Sequence, residues 1–277
     1  SKGLPKLCRE YKKERATVHL KELVGGALSF YAAAAVAKTG GVHIFVAEDR
    51  DAAAYLLNDF YNLLDEKQVY FFPSSYKRSA AYGAEDAQGV VQRTTAMNAV
   101  RGFTKGYLVV CTYPEALAER VVDAATLQRD TIAVKLGDKI SIAVLEDALA
   151  DANFTRVDFV YEPGQYSVRG GIVDVFSYSE SKPYRIDFYG DEVDSIRRFN
   201  ISSQLSADKL DRVEIVPNLN AGEAPRVSFV QFAGSSATCW FYDADYVLRR
   251  VNDLRRKVLA DMEEPGQIDR LLTSRNV

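Results

Sequence analysis

The chain is poor in the residues that carry out chemistry. It holds two histidines and three cysteines in 277 residues. His19 and His43 stand alone in the sequence, and each reads as a structural side chain rather than a ligand or a base. Cys8, Cys111 and Cys239 are scattered and odd in number, with no Cys-x-x-Cys pair. That spacing argues against a disulfide framework and against a zinc site, and a reducing cytoplasm fits it. Long apolar runs are missing as well. The stretch from Leu28 to Ala37 is too short and too rich in alanine to cross a bilayer, and no signal-peptide pattern is found, so no membrane association is expected. An excess of positive charge is also absent: Lys+Arg of 35 against Asp+Glu of 38 leaves −3. This balance argues against a chain whose main task is to coat nucleic acid, although a local patch is compatible with it.

Phosphate chemistry is missing in a more telling way. A phosphate loop needs G-x-x-x-x-G-K-[ST], because backbone amides cradle the phosphates and the lysine neutralises them. No Gly-Lys-Ser/Thr occurs anywhere, and G-x-G-x-x-G is absent too. The nearest candidate is Gly25-Gly26-Ala27-Leu28-Ser29-Phe30. It reads as a helix start that keeps the turn and has lost the lysine, with at most a weak anion site at its N-terminus. Adjacent carboxylates such as Asp191/Glu192 and Glu263/Glu264 have no nucleophile or metal-ligand cluster near them and read as solvated charges. No catalytic residue and no metal site are expected.

What is present is globular. Hydrophobic content of 47% and charged content of 26% are ordinary, and the length suits one large or two modest domains. From Lys21 to about Ala133, short apolar strands (His43 to Ala47, Val69 to Phe72, Tyr107 to Cys111) alternate with helices. The helices are Asp51 to Leu64, with Ala54, Leu57, Tyr61 and Leu64 near one face, then Glu85 to Arg101, then one opened by Pro114. Strands apolar on both faces and joined by helices predict a parallel α/β sheet. After Lys135 the pattern changes. Ser141 caps a short helix ending near Asn153, and from there to about Val216 the chain is almost all strand. Pro217 to Pro225 reads as a linker. Arg226 to Tyr242 alternates like strand, with Ser228, Val230 and Phe232 set against Val227, Phe229 and Gln231. Asp243 to Met262 is a long helix, ended by Pro265-Gly266. Its arginines Arg249, Arg250, Arg255 and Arg256, with Lys257, are outnumbered by Asp243, Asp245, Asp253, Asp261, Glu263 and Glu264. Val247, Val251, Leu254 and Val258 form one stripe, so the helix is read as amphipathic, lying on the first domain with a salt-bridged outer face.

The most informative stretch runs from Tyr166 to Phe199. Alternation puts Tyr184, Ile186 and Phe188 on one side of a strand and Arg185, Asp187 and Tyr189 on the other. Gly190-Asp191 sits where a two-residue hairpin needs positive φ. Arg169 ends the strand before, and Gly170-Gly171 lets the chain bend there. From the residues alone the outer face is open to two readings: a solvated cross-strand ion pair or a binding surface.

A resemblance separates the two. Pro163-Gly164-Gln165-Tyr166, the run from Val168 to Phe176, the run from Arg185 to Arg197 and Gln204 resemble the small α+β domain shared by bacterial transcription-repair coupling factors (Mfd) and the excision-repair subunit UvrB. Weaker similarity to the coupling factors runs upstream through Phe72-Pro73 and Cys111 to Leu117, and on to the Val216-Pro217 boundary. The resemblance implies a degenerate P-loop-NTPase-like parallel α/β domain over 1–133, a small α+β domain over 134–216 and a segment over 217–277 that returns to the first. It implies that the small domain docks UvrA, with Arg169, Arg185 and Tyr189 as contact residues and Asp187 and Tyr166 beside them. It implies that ATP, magnesium, RNA polymerase and double-stranded DNA belong to other parts of a longer parent, as a chain opening at Ser1 rather than Met also suggests. UvrB keeps a working phosphate loop, which Gly25, Gly26 and Ser29 here do not reproduce. It also carries a tyrosine-rich hairpin, where Pro73 to Asp86 offers only Tyr76 and Tyr82 with Lys77-Arg78, so a surface loop is expected there and no DNA wedge. The competing readings are an ATP-dependent enzyme of the UvrB kind and a DNA-binding module.

ATP with magnesium should therefore leave the thermal unfolding midpoint of the chain unchanged. A rise of several degrees at millimolar nucleotide would reveal a working phosphate site.

Overall fold

The computed structural model describes residues 17–20, 25–76, 86–220 and 224–263, together with Pro5, Leu7 and Arg9. The chain is mixed α/β, with two sheets of four and six strands and two short ribbons among the described residues. In order, helix α1 (Ala27–Thr39) leads into β1 (Gly41–Val46), α2 (Arg50–Leu63), β2 (Val69–Phe71), α3 (Ala87–Gly102), β3 (Tyr107–Thr112) and α4 (Pro114–Ala118). Then come β4 (Val121–Val122), α5 (Ala124–Asp130) and β5 (Ile132–Lys135). A second group follows: α6 (Ile142–Asp151), β6 (Thr155–Arg156), β7 (Gln165–Arg169), β8 (Ile172–Val175), β9 (Tyr184–Tyr189), β10 (Glu192–Phe199), β11 (Ser206–Leu210) and β12 (Arg212–Ile215). The last group is β13 (Arg226–Val227), α7 (Phe229–Ala233), β14 (Thr238–Phe241) and α8 (Ala244–Glu263).

The first sheet has the order β14-β1-β3-β2, and its strands run parallel. Central strands β1 and β3 are buried along nearly their whole length, as helices on both faces require. Helix α2 is capped by Asp49, whose side chain accepts from the Ala52 amide at 2.8 Å. Its buried face differs from the expected one. Ala53 and Phe60 are fully buried, with Leu56, Leu57, Leu63 and Leu64 packed beside them, whereas Ala54 and Tyr61 are exposed. Phe60 packs on Phe45 at 4.6 Å between ring centroids, and that contact sets the helix rotation.

The segment after residue 217 returns to this sheet. Strand β14 pairs parallel with β1, and Trp240 stacks on Phe45 at 5.0 Å. Phe229 stacks on Phe72 at 3.8 Å. The strand expected through Ser228 to Phe232 is instead α7. Ser228 and Gln231 form a capping box, each side chain accepting from the other's backbone amide, and Phe229 and Phe232 then bury one helical face. Helix α8 lies along α4 with Val247 buried and Val251 and Leu254 partly so, while Arg250 donates to Glu115 at 2.8 and 3.0 Å. The side chains of Arg255, Lys257 and Val258, and the expected stop at Pro265-Gly266, lie outside the described residues.

The second sheet, β11-β10-β9-β8-β7-β6, has its own core. Leu145 and Leu149 of α6 cover its inner face, and Ser141 caps that helix through the Val144 amide. The chain enters this unit through β5 and leaves through β12, and the two pair antiparallel from Ile132↔Ile215 to Lys135↔Arg212. This ribbon joins the two units. Arg101 of α3 bonds Glu214 on the ribbon, and Thr95 donates to the Ser179 carbonyl at 2.9 Å.

His43 ties the returning segment to β1. It is fully buried, its Nδ1 accepts from Trp240 Nε1 at 3.0 Å, and its Nε2 faces the Gly40 carbonyl at 2.8 Å. The ring is therefore neutral, and burial lowers its pKa from 6.5 to about 4, opposed by the Gly40 hydrogen bond. The unfolded chain binds the proton first, so stability is full above pH 6.5 and falls as pH drops toward 4. The loss attributable to His43 should be on the order of 3 kcal/mol, read as the narrowing gap between wild type and His43→Asn in denaturant titrations at pH 7.5 and 4.5.

Candidate docking face

Strands β7 to β10 form an antiparallel meander whose register sorts the side chains into two faces. Toward the core, Tyr166 lies opposite Val175 and Val175 opposite Tyr184, while Val168, Val173, Ile186 and Ile196 form the adjacent row. Toward the outside, Ser167 lies opposite Asp174, Asp174 opposite Arg185 and Arg185 opposite Arg197. A second outer row joins Arg169, Ile172, Asp187 and Ser195. The register shifts in β10 between Val193 and Ser195, an irregularity that lets Val193 and Ile196, three residues apart, both reach the core. Two glycines make the hairpins: Gly170 at φ 60° and Gly190 at φ 61°. At Gly171 a Cβ would stand 2.9 Å from the Phe188 carbonyl oxygen, so only glycine fits there.

The centre of the outer face is Asp174, which is 1% exposed. Arg185 donates to it side-on, Nε to Oδ1 at 2.7 Å and Nη2 to Oδ2 at 2.8 Å. Arg169 Nη2 donates to the same Oδ2 at 2.5 Å. An ionised carboxylate out of water is stable only with such partners, and the hydrogen bond to Asp174 in turn raises the pKa of Arg185. Each guanidinium also lies over a ring: Arg185 over Phe199 at 4.3 Å and Arg169 over Phe159 at 5.1 Å. Arg169 Nη1 further donates to Ser167 Oγ at 3.0 Å and to the Asp158 carbonyl at 3.1 Å. Gln204, held at φ 57°, accepts from Arg185 Nη2 at 3.1 Å.

The sequence left two readings of this face, a solvated cross-strand ion pair or a binding surface, and the structure shows its arginines engaged in ion pairs. Arg169 and Arg185 are brought together, as expected, but onto a carboxylate of their own chain. Asp187 is likewise engaged, by Arg197 Nη2 at 2.5 Å and by the Ser195 hydroxyl. Among Arg169, Arg185, Arg197, Asp174 and Asp187 the charges sum to one net positive, while the turn beyond them carries the exposed Asp191 and Glu192. Tyr189 is 85% exposed at the β9–β10 turn, on the same side of β9 as Arg185 and Asp187 and directly opposite Glu192. Tyr166 does not join the face. It is 5% exposed in the core of the small domain, because its position in the pleat is opposite to that of Arg169. Asp174, Phe159 and Phe199 were not singled out from sequence, and Gln204 was noted only as part of the resemblance. The available signal was a lone aspartate between valines in a strand facing two arginines.

The loop at Gly25-Gly26 leads directly into α1. Gly25 has φ 57°, Gly26 precedes α1, and no side chain caps the helix. The Ser29 hydroxyl, 5% exposed, donates to Asp59 at 2.5 Å. Of the stretch from Pro73 to Asp86, residues 77–85, and with them Lys77, Arg78 and Tyr82, lie outside the described residues. Among the described residues, no cluster of His, Cys, Asp and Glu is arranged to hold a metal ion, and no helix is long and apolar enough to cross a membrane.

Comparison with known proteins falls on this same unit. Residues 132–220 match the UvrB interaction domain. Over 199 residues, 72% of this chain and 17% of the relative, the chain is 27% identical to the transcription-repair-coupling factor of Bacillus subtilis. It is 26% identical to that of Escherichia coli over 199 residues, again 72% of this chain and 17% of the relative. Over 101 residues, 36% of this chain and 9% of the relative, it is 34% identical to the transcription-repair-coupling factor of Haemophilus influenzae. The matched stretch therefore spans 17% or less of these relatives' length.

The two tyrosines should separate cleanly in chemical denaturation. Tyr166→Ala should lower stability by about 3–5 kcal/mol by leaving a cavity in the core. Tyr189→Ala should stay within about 0.5 kcal/mol of wild type.

Proposed function

We propose that this chain, which carries a UvrB interaction domain over residues 132–220, is the N-terminal recruitment module of a bacterial transcription-repair coupling factor and docks UvrA. The observation that carries the reading is the outer face of the small domain. Arg169 and Arg185 converge on one buried carboxylate, on a sheet face that further along β9 carries the exposed Tyr189. Such a face suits a partner with acidic side chains around an apolar spot. The arginines supply charge-assisted hydrogen bonds, and Tyr189 supplies area that is buried only on binding. Asp187 holds Arg197 in the next row and borders the contact.

In this reading the module itself is not catalytic and takes no cofactor. ATP and magnesium serve a translocase elsewhere in the parent, which displaces stalled RNA polymerase along double-stranded DNA before the repair machinery arrives. The parent works in the cytoplasm. The loss of the phosphate-loop lysine and the use of the Ser29 hydroxyl by Asp59 support a first domain that acts as a scaffold.

Calorimetric titration with UvrA tests the proposal. Wild type should bind, and Arg185→Ala and Tyr189→Ala should each weaken binding by about tenfold or more, as expected of hot-spot residues. A folded wild type that does not bind UvrA, or variants that bind unchanged, would overturn it.

A further inference from the structure

Asp174 cannot touch a partner. It is 1% exposed, whereas the arginines that cover it keep 35% and 14% of their side-chain surface. What it can do is hold them. Both Nη2 groups rest on one oxygen, Oδ2. The plane of Arg185 is fixed along its edge by Asp174 and across its face by Phe199. Arg169 is fixed by Asp174, Ser167, the Asp158 carbonyl and the Phe159 ring. Two adjacent cations repel one another, and Asp174 is the anion they share. A guanidinium commonly grips a carboxylate through two parallel bonds, and Asp174 occupies the Nε–Nη2 edge of Arg185. Arg185 Nη1 and Arg169 Nε are the groups that donate to nothing among the described residues.

We infer that Asp174 is the positioning residue of the docking face: it holds Arg169 and Arg185 so that each offers a partner a single point of contact, Arg169 through Nε and Arg185 through Nη1. The matching surface is an acidic protein segment whose carboxylates meet the two arginines one at a time around Tyr189. The inference takes its partner from the docking reading above, but its geometry stands apart from that reading. It also makes a prediction of opposite sign to simple electrostatics. Removing the charge of Asp174 makes the face more positive, which alone would strengthen attraction for an acidic partner. If Asp174 positions the arginines, removing it weakens binding.

The test is Asp174→Asn in the whole chain, read in two ways. Nitrogen-15 NMR of arginine side chains should show the Arg185 Nε–H exchanging slowly in wild type, unlike the Nε–H of the exposed Arg256, and reverting to Arg256-like exchange in the variant. Arg256-like exchange in wild type, or no change in the variant, overturns the inference whether or not UvrA binds. Titration with UvrA should show the variant weakened by about tenfold, and by less than about twofold when Arg169 and Arg185 are already alanine, because the effect runs through them. Unchanged or tighter binding by Asp174→Asn, while Arg185→Ala weakens it, overturns positioning and leaves docking intact. Absence of wild-type binding overturns docking, and the exchange data still decide the clamp. Should Asp174→Asn fail to fold, Asp174→Glu carries the same test, since it keeps the charge and moves the carboxylate; affinity equal to wild type would overturn the inference.

Discussion

A carboxylate with almost no exposure must be paired, and Asp174 is paired twice. Much of the small domain's outer face follows from that constraint. Arg185 lies directly across the sheet from Asp174 and can meet it side-on, and Arg169 reaches it from the end of the neighbouring strand. The flanking rings, Phe199 and Phe159, then fill the space above the guanidiniums. Breaking such a pair from one side leaves an uncompensated charge and is far costlier than any exposed ion pair on this chain. The same feature that stabilises the sheet therefore fixes the orientation of the groups offered to a partner.

The first domain shows a comparable economy. Its sheet is closed at one edge by β14, a strand that arrives after the small domain has been completed. The joint is made of specific contacts: Trp240 on His43 and Phe45, Phe229 on Phe72, and Arg250 on Glu115. The buried Arg93 bonds the Pro73 and Ala116 carbonyls, lies 4.0 Å over Phe72 and stands 3.5 Å from Glu119. These interactions tie the returning segment and the loop after β2 into the first sheet's core. The β5–β12 ribbon and the Arg101–Glu214 pair join the small domain to it.

How much of this was legible in the sequence depended on how local the cause was. Strands β1, β2 and β3, the cap at Ser141 and the proline at the start of α4 are short-range effects, and each lies where its pattern indicates. The glycine turn at Gly190 is of the same kind. The failures arose where two local patterns compete. Ser228 to Phe232 alternates as a strand does, yet Ser228 and Gln231 also spell a capping box, and packing of Phe229 on Phe72 favours the helix. In α2 the periodicity allowed two rotations, and Phe45 on the neighbouring strand selected the one that buries Phe60.

The docking face divides the same way. The sequence by itself determined that Arg185, Asp187 and Tyr189 share one side of a strand, and that the Gly-Lys-Ser/Thr motif is missing, because side-chain alternation and motif content are local properties of the chain. Only the tertiary structure decided that Tyr166 belongs to the core, that Asp187 is engaged by Arg197, and that Arg169 and Arg185 are both paired with Asp174. Those outcomes depend on which strands pair and in what register. Register is fixed by the burial of whole faces at once, which no single strand's sequence encodes.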